Sequence, residues 1–378
     1  MLRAAPAAGV AALVAGLAVL ATGCAPEPAW QQLELPAVVR AASVAGTGTG
    51  VLVGGVRPDP PAPALLEVTG ARVTRELRLA PAEPYAEVAE LISVTAADDR
   101  LYAIGRAFGG AHSNPRLTVW DGSLAAGTLT SRPQEFFTFG GHDAGPLLGT
   151  VVLPSGPVIV GSRTTASGTE GVLWTPEATT WHKRTGVDPA LASSPDRVLG
   201  FTGVAGLGDR IVLTGDEVGL GGGLLQRPAV WTGRTSGGWE TALLPVPDTP
   251  PAVAGQLNRA TSVACSGTDH CWVAGWAHGR PLVWRVGLGA EGRPQPARPS
   301  VLPGRPPQRD PIALVAVAAD RPVVLTGAAE PTLQLACPTG WRTLPAPPGR
   351  AEALAAGGGA LYVVTAAGEL WRRDAPGC

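Results

Sequence analysis

Short runs of apolar and small residues recur along the chain in pairs, and a polar or glycine-rich turn separates the two runs of each pair. Runs of this length with such turns between them predict antiparallel strand–turn–strand units rather than helices. The second run usually ends in Gly, and the unit occurs seven times, at residues 41–54, 91–105, 148–161, 201–215, 260–275, 314–327 and 352–366. The ends of successive copies are 39 to 60 residues apart, a spacing typical of a repeat architecture.

A third apolar run follows each copy, and in five copies it ends in Trp. We place these third strands at Leu65–Leu66, Leu117–Trp120, Gly171–Trp174, Pro228–Trp231, Pro281–Trp284, Leu333–Leu335 and Gly368–Trp371. Fourth strands are clearest at Val73–Leu79, Thr180–Arg184, Trp239–Leu244 and Trp341–Leu344. Each copy is therefore a four-stranded meander, which buries both of its faces only against other sheets.

The seventh copy stops after its third strand, and the missing fourth strand lies at the other end of the chain. Residues 30–36 (WQQLELP) are similar to residues 341–345 (WRTLP), the fourth strand of the sixth copy, so we expect them to complete the last sheet. Seven radially stacked meanders closed in this way resemble the β-propeller superfamily. The resemblance implies an all-β fold, a seven-bladed propeller of four-stranded antiparallel blades over residues 30–378. A β-sandwich is the alternative fold, but it does not account for seven copies.

The repeat carries no clean signature of a particular propeller family. Asp-box, WD40 and kelch motifs are not present in clean form, and Val119-Trp120-Asp121-Gly122 is a lone WD dipeptide. Residues 265–275 (CSGTDHCWVAG) resemble a Cys-x5-Cys-Trp-Ala-Val-Gly hairpin of secreted bacterial propeller repeats. This second resemblance implies a fold and not an activity.

The first thirty residues have the features of an export signal. Met1-Leu2-Arg3 is a short positive start, and the uncharged stretch after it is rich in Ala, Val and Leu. Small residues directly before Cys24 (LATGC) resemble the lipobox of bacterial lipoproteins. The resemblance implies a signal peptide over 1–23, acyl chains on Cys24 and a lipidated tether over 24–29, with the protein held at the extracytoplasmic face of the cell membrane. An uncleaved transmembrane anchor and ordinary secretion are the alternatives.

The other four cysteines are an even number, which suits a protein outside the cytoplasm. Cys265 and Cys271 flank the turn of one hairpin, so we expect a disulfide across its two strands. Cys337 follows the third strand of the sixth copy and Cys378 follows the adjacent seventh copy, so a second disulfide would pin the end of the chain. A metal site would need more ligands at suitable spacing, and we expect no metal and no other cofactor.

Composition narrows the class of partner. The net charge is −1 and no basic stripe is present, so we do not expect nucleic acid to bind. The 51 glycines and 38 prolines among 378 residues suit many short strands joined by turns. Lys183 is the single lysine among 29 basic residues, a bias that a high-GC genome explains, so the arginine excess alone indicates no function.

The candidate binding site is the mouth of the ring, where loops lead into the inner strands or join second to third strands. The candidate residues at these positions are Arg40, Glu90, Arg106, Arg163, Arg197, Asp216, Arg259, Trp276, His278 and Arg280. Two interpretations are open: the arginines clamp an anionic or sugar ligand through forked hydrogen bonds, or they are solvated loop ends. Trp276 is a candidate platform for stacking a sugar ring.

A phenylalanine-rich loop precedes the third copy. Residues 134–143 (QEFFTFGGHD) hold three of the five phenylalanines of the chain. This loop is either an exposed recognition loop or a cap on the junction between the second and third blades.

The sequence favours a binding protein over an enzyme. No nucleophile motif with a triad context is visible, so we assign no catalytic residue. We expect a monomeric binding or scaffolding module whose partner is an envelope protein or a cell-wall glycan. The alternatives are a secreted glycan hydrolase with carboxylates in the mouth and a structural role in the assembly of membrane complexes.

Overall fold

The computed structural model describes residues 29–36, 38–109, 115–221, 224–247, 258–267, 269–303, 313–327 and 331–378. These residues form seven small sheets in which successive strands pair in antiparallel fashion. The sheets pack side by side in a ring, so the predicted seven-bladed β-propeller is confirmed. Residues 1–28, which include the predicted signal peptide and Cys24, lie outside the described residues.

Each blade runs from an inner strand a beside the axis, through strands b and c, to an outer strand d. In the first four blades the strands are Arg40–Gly46, Gly50–Pro58, Pro61–Thr69 and Arg72–Glu76 (blade 1); Glu90–Ala97, Arg100–Ala107, Arg116–Ser123 and Thr128–Arg132 (blade 2); Ala144–Leu153, Gly156–Thr165, Gly168–Glu177 and Thr180–Arg184 (blade 3); and Arg197–Leu207, Arg210–Gly219, Leu225–Arg234 and Gly237–Leu243 (blade 4).

The last three blades follow the same plan, with a divided outer strand in blade 5. Their strands are Arg259–Ser266, His270–Ala277, Arg280–Leu288 and the two segments Pro294–Pro296 and Ser300–Val301 (blade 5); Ala313–Ala318, Arg321–Thr326, Thr332–Cys337 and Gly340–Pro345 (blade 6); and Ala351–Gly357, Ala360–Thr365, Leu370–Asp374 and Gln31–Leu33 (blade 7). The described connections also contain the short helices α1 (Pro84–Glu87) and α2 (Phe136–Phe139) and the 3₁₀ turns Pro189–Leu191 and Ala290–Gly292.

Blade 7 is completed by the N-terminal strand, as predicted. Gln31–Leu33 pairs in antiparallel register with Leu370–Asp374, although the strand is shorter than the segment expected from sequence. Leu33 is buried in the core between blades 7 and 1. Trp30 Nε1 donates a 2.8 Å hydrogen bond to the carbonyl oxygen of Pro345 in blade 6. The closing strand is therefore tied to both neighbours of blade 7.

The predicted outer strand Val73–Leu79 is wrong in its second half. Arg72–Glu76 belongs to blade 1, whereas Arg78–Ala80 pairs in parallel with Thr128–Arg132 at the edge of blade 2. Leu77, between the two segments, is buried among residues of blades 1 and 2. Because this side chain turns inward, the strand breaks there and the chain passes to the next blade.

Apolar side chains from both faces of every sheet form seven clusters, one at each junction between neighbouring blades. The tryptophans near the middle of four c strands, Trp120, Trp174, Trp231 and Trp284, lie in these clusters and are at most 2% exposed. Buried aromatic rings of this size dominate the energy of a core. Each blade therefore depends on packing against both neighbours.

Both predicted disulfides are confirmed. Cys265 and Cys271 join strands a and b of blade 5 with their Cα atoms 3.9 Å apart. Cys337 in blade 6 joins Cys378, which follows the last strand of blade 7, with a Cα separation of 5.7 Å. The second bond closes a long loop, so it restrains the unfolded chain and ties blade 7 to blade 6.

In blades 1 to 5, a Gly near the end of strand b faces the inner strand where that strand bulges. In blade 4 the register between strands a and b shifts between Phe201 and Gly203, beside Gly215. A Cβ on Gly215 would lie 1.8 Å from the carbonyl oxygen of Gly200, and a Cβ on the equivalent Gly275 of blade 5 would meet backbone in the same way. The close approach of the bulged strand explains why the repeat unit ends in Gly.

We expect Gly215→Ala to lower the free energy of unfolding by about 1–3 kcal/mol, because the added methyl group overlaps backbone that cannot move freely. Gly219→Ala in the same strand is the matched control, since the nearest atom to its Cβ would be 3.9 Å away. Its stability should stay within about 0.5 kcal/mol of wild type. Denaturant unfolding followed by tryptophan fluorescence measures both variants, and equal stabilities would contradict the role assigned to Gly215.

Candidate functional site

The mouth is the face of the ring at which the inner strands begin. It is formed by the d–a connections between blades and the b–c connections within them. Four of the predicted site residues, Arg40, Glu90, Arg197 and Arg259, are the first residues of inner strands. The others lie near the mouth ends of b and c strands or between them: Arg106, Arg163, Asp216, Trp276, His278 and Arg280. The predicted residues therefore share one side of the ring but are spread over blades 1 to 5.

Asp216 is the centre of a buried polar network between blades 4 and 5. Its side chain is 3% exposed and accepts a 2.5 Å hydrogen bond from Arg259 Nε and a 2.7 Å hydrogen bond from Gln226 Nε2. The backbone N–H of Asn258 donates to Gln226 Oε1, and the backbone N–H of His278 donates to Asn258 Oδ1. The network joins the start of the blade 5 inner strand to the b–c connections of both blades.

Glu217 lies on the opposite face of the same strand, because successive side chains of a strand alternate. Its Oε2 is 3.5 Å from Arg197 Nη1, and its Oε1 is 3.1 Å from Arg227 Nη2. The two neighbouring carboxylates of blade 4 are thus occupied by different arginines and point away from each other. This arrangement does not place a pair of carboxylates on either side of one substrate bond.

The arginines of blades 2 and 3 are paired in the same manner. Arg106 Nη2 is 2.7 Å from Glu90 Oε2. Arg163 Nη2 is 2.7 Å from Glu170 Oε2, and its Nη1 is 3.6 Å from Asp143 Oδ2. Carboxylates of the same chain already neutralise these guanidinium groups. The two arginines therefore offer little free charge to an anionic ligand.

Three predicted site residues stand outside these networks. Arg40 and Arg280 are exposed at the ends of their strands. Trp276, expected beyond its strand in the mouth, lies within strand b of blade 5 and is 2% exposed. It packs among apolar residues between blades 5 and 6, including Val283 and Val324, and so presents no free ring face to a sugar.

Apolar mouth residues are missing from the predicted site, although the sequence singled out the loop that holds Phe136 and Phe137. Among the described residues, all the exposed large apolar side chains lie in mouth connections or at strand ends that lead into them: Val38, Tyr85, Val88, Phe108, Phe136, Phe137, Leu220, Leu224, Leu225, Leu243 and Val301. The described a–b and c–d turns, on the opposite face of the ring, carry none. Among the described residues, exposed large apolar side chains are therefore confined to one side of the ring.

The phenylalanine-rich loop buries one of its rings and exposes the other two. Phe139 is buried and packs against Trp174 with ring centroids 5.4 Å apart. Trp174 Nε1 donates a 2.6 Å hydrogen bond to the carbonyl oxygen of Thr138, so helix α2 caps the junction between blades 2 and 3. Phe136 and Phe137, on the same helix, are 49% and 69% exposed.

The partly buried carboxylate of Glu83 links the two loops that enter blades 2 and 3. Burial raises the pKa of Glu83 above its usual value, and a hydrogen bond from the backbone N–H of Gln134 offsets part of the rise. Glu83 directly precedes α1 and Gln134 lies just before α2. The contact therefore joins the loop that enters blade 2 to the loop that enters blade 3.

The residues that the structure describes contain no group of three or more His, Cys, Asp or Glu side chains that could hold a metal ion. None of their helices has the length and apolar character needed to cross a membrane.

Comparisons with known proteins leave the family open. No protein-family model matches the chain, and no curated protein matches it. Among solved structures, the computationally designed Ika8 protein is similar with a TM-score of 0.46 and 12% identity, over 91% of this chain and 98% of that chain. BamB from Moraxella catarrhalis is similar with a TM-score of 0.46 and 10% identity, over 92% of this chain and 98% of that chain. The fold assignment rests on the seven sheets themselves.

We expect Asp216→Ala to lower the free energy of unfolding by about 2–3 kcal/mol, because it leaves Arg259 and Gln226 without their buried acceptor. Asp209→Ala in the same blade is the matched control, since it removes an exposed ion pair with Arg234. The control should unfold close to the wild-type midpoint in a denaturant titration. Equal losses in the two variants would contradict the structural role of the Asp216 network.

Proposed function

We propose that the chain is a binding module of the bacterial cell envelope and docks another protein on the mouth of its propeller. The observation that carries this proposal is the one-sided distribution of exposed apolar side chains among the described residues. Aromatic residues gathered on an otherwise polar surface are typical of protein–protein interfaces. A rigid ring suits this role because it holds the connecting loops in place before a partner arrives.

A protein partner has more support than a glycan or a hydrolase substrate. Glycan stacking in the mouth was expected at Trp276, which is buried. The arginines expected to clamp an anion or a sugar are mostly paired within the chain. A hydrolase would need two carboxylates directed at one substrate, whereas Asp216 and Glu217 lie on opposite faces of one strand. We therefore propose a binding role and assign no catalytic residue.

The envelope location is supported by two independent features. The sequence before residue 30 has the order of a lipoprotein signal, with Cys24 as the residue that would carry the lipid. The two disulfides suit a compartment outside the cytoplasm, where such bonds persist. In this proposal residues 24–29 tether the propeller to the extracytoplasmic face of the membrane.

Cys24→Ala should abolish lipid attachment and release the protein from the membrane, because the acylated sulfur is the proposed anchor. Metabolic labelling of the host with an alkyne fatty acid, followed by membrane fractionation, measures both effects. Ala25→Ser is the control and should remain labelled and membrane-bound. A lipid label that persists on Cys24→Ala, or wild-type protein without any label, would contradict the proposed anchor.

A photoreactive p-benzoylphenylalanine in place of Phe137 should form a discrete protein adduct in intact host cells, because this ring would lie in the docked interface. The same group in place of Ser155 is the control, since Ser155 is exposed in the a–b turn at the opposite end of blade 3. Mass spectrometry of the adduct identifies the partner. Adducts at neither position, or equal adducts at both, would contradict docking at the mouth.

A further inference from the structure

Four exposed aromatic residues lie in mouth connections on either side of blade 2 and within it. Tyr85, Phe108, Phe136 and Phe137, here called the aromatic patch, are between 38% and 69% exposed. They come from three separate mouth connections: the loop entering blade 2, the b–c connection of blade 2 and helix α2. The rings of Phe136 and Phe137 pack edge to face with centroids 4.9 Å apart.

Buried residues of helices α1 and α2 hold the aromatic patch on the core. Phe139, at the end of α2, is buried against Trp174, whose indole N–H also holds the carbonyl oxygen of Thr138. On the neighbouring loop, Ala86 of α1 is fully buried. Because both short helices are fixed to the core, the patch is organised before binding and loses little conformational entropy when a partner covers it.

Arg116 places a positive charge inside the aromatic patch. Its guanidinium carbon lies 4.2 Å from the ring centroid of Phe136 and 5.6 Å from that of Tyr85. Its Nε is buried without a hydrogen-bond partner, and none of the described carboxylates lies within ion-pair distance of it. The nearby Arg106 differs, because Glu90 neutralises it.

A cation held between aromatic rings is poorly hydrated, so an anion that reaches it there is bound more strongly than in open water. We infer that the partner presents a carboxylate to Arg116, flanked by apolar side chains that cover Phe136 and Phe137. The guanidinium fork matches the two oxygens of an acidic side chain or of a terminal carboxylate. The inference rests on the proposed docking function and adds the chemistry of the partner, an apolar protein segment that carries a carboxylate.

A second copy of this chain fits the aromatic patch less well. In a two-fold contact the same surface meets itself, so the Arg116 side chains of both copies would lie near each other. Like charges brought together in an interface oppose association. The unpaired cation therefore favours a different, carboxylate-bearing protein over self-association.

The test uses the full chain and two probes of equal size, 3-phenylpropionate and its uncharged amide, 3-phenylpropanamide. Saturation-transfer NMR titration measures the affinity of each probe. Wild type should bind the carboxylate about fivefold more tightly than the amide. The Arg116→Gln variant should bind both probes with the affinity that wild type has for the amide. The Arg116→Lys variant should keep part of the wild-type preference for the carboxylate. Arg72→Gln, which removes an exposed arginine from the opposite face, should keep all of it.

The outcomes separate this inference from the function on which it rests. Equal binding of the two probes to wild type, or an unchanged preference in a folded Arg116→Gln variant, would overturn the carboxylate inference. If Phe137→Ser then weakens both probes, the apolar docking face still stands. If neither probe binds wild type, or if Phe137→Ser leaves both affinities unchanged, the docking face is contradicted together with the inference. Unfolding midpoints of all variants verify that they are folded.

Discussion

Every blade depends on its two neighbours, because each four-stranded sheet has apolar residues on both faces. The seven clusters lie at the seven junctions between blades, so the core is a ring of junctions with no single centre. Such a ring buries all its faces only when the last junction closes. The strand Gln31–Leu33 completes blade 7 and places Leu33 in the junction with blade 1. The Cys337–Cys378 disulfide then ties blade 7 to blade 6.

In the closed ring, most of the predicted charged residues of the mouth pair with other charged residues of the chain, whereas several apolar residues of the mouth remain exposed. The ion pair of Asp216 with Arg259 joins strands of two different blades, so it holds the scaffold together. Arg106, Arg163 and Arg197 are paired with carboxylates of their own blades and have few free hydrogen bonds to offer a ligand. In the proposed function, recognition falls to the apolar side chains that the closed ring leaves exposed, with Arg116 as the cation among them.

The inner hairpins could be predicted from sequence because their signals are local. Each combines two short apolar runs, and most end in a Gly, which at Gly215 is required by a close backbone contact. Outer strands depend on tertiary contacts, and the inward turn of Leu77, which moves the following segment to blade 2, has no local signal. Trp276 was misplaced because the repeat unit ends at Gly275, whereas the strand continues to Ala277.

The chemistry of the mouth was less predictable than its position. Arg259 and Asp216 are 43 residues apart, and their contact depends on how two blades pack. The apolar surface had a visible signal, since three phenylalanines fall in one predicted loop. That signal did not separate Phe139, which faces the core, from Phe136 and Phe137, which face solvent.

The central claim is that the mouth, and not the opposite face, is covered by a partner in the cell. Hydroxyl-radical footprinting of the protein in intact cells and after purification tests it most directly. Phe108, Phe136 and Phe137 should be oxidised more slowly in cells than in the purified protein. His182 is exposed in the outer strand of blade 3, next to Glu177 at the c–d turn, and should react equally in both states. Equal oxidation of the phenylalanines in both states, or equal protection of His182, would contradict the account.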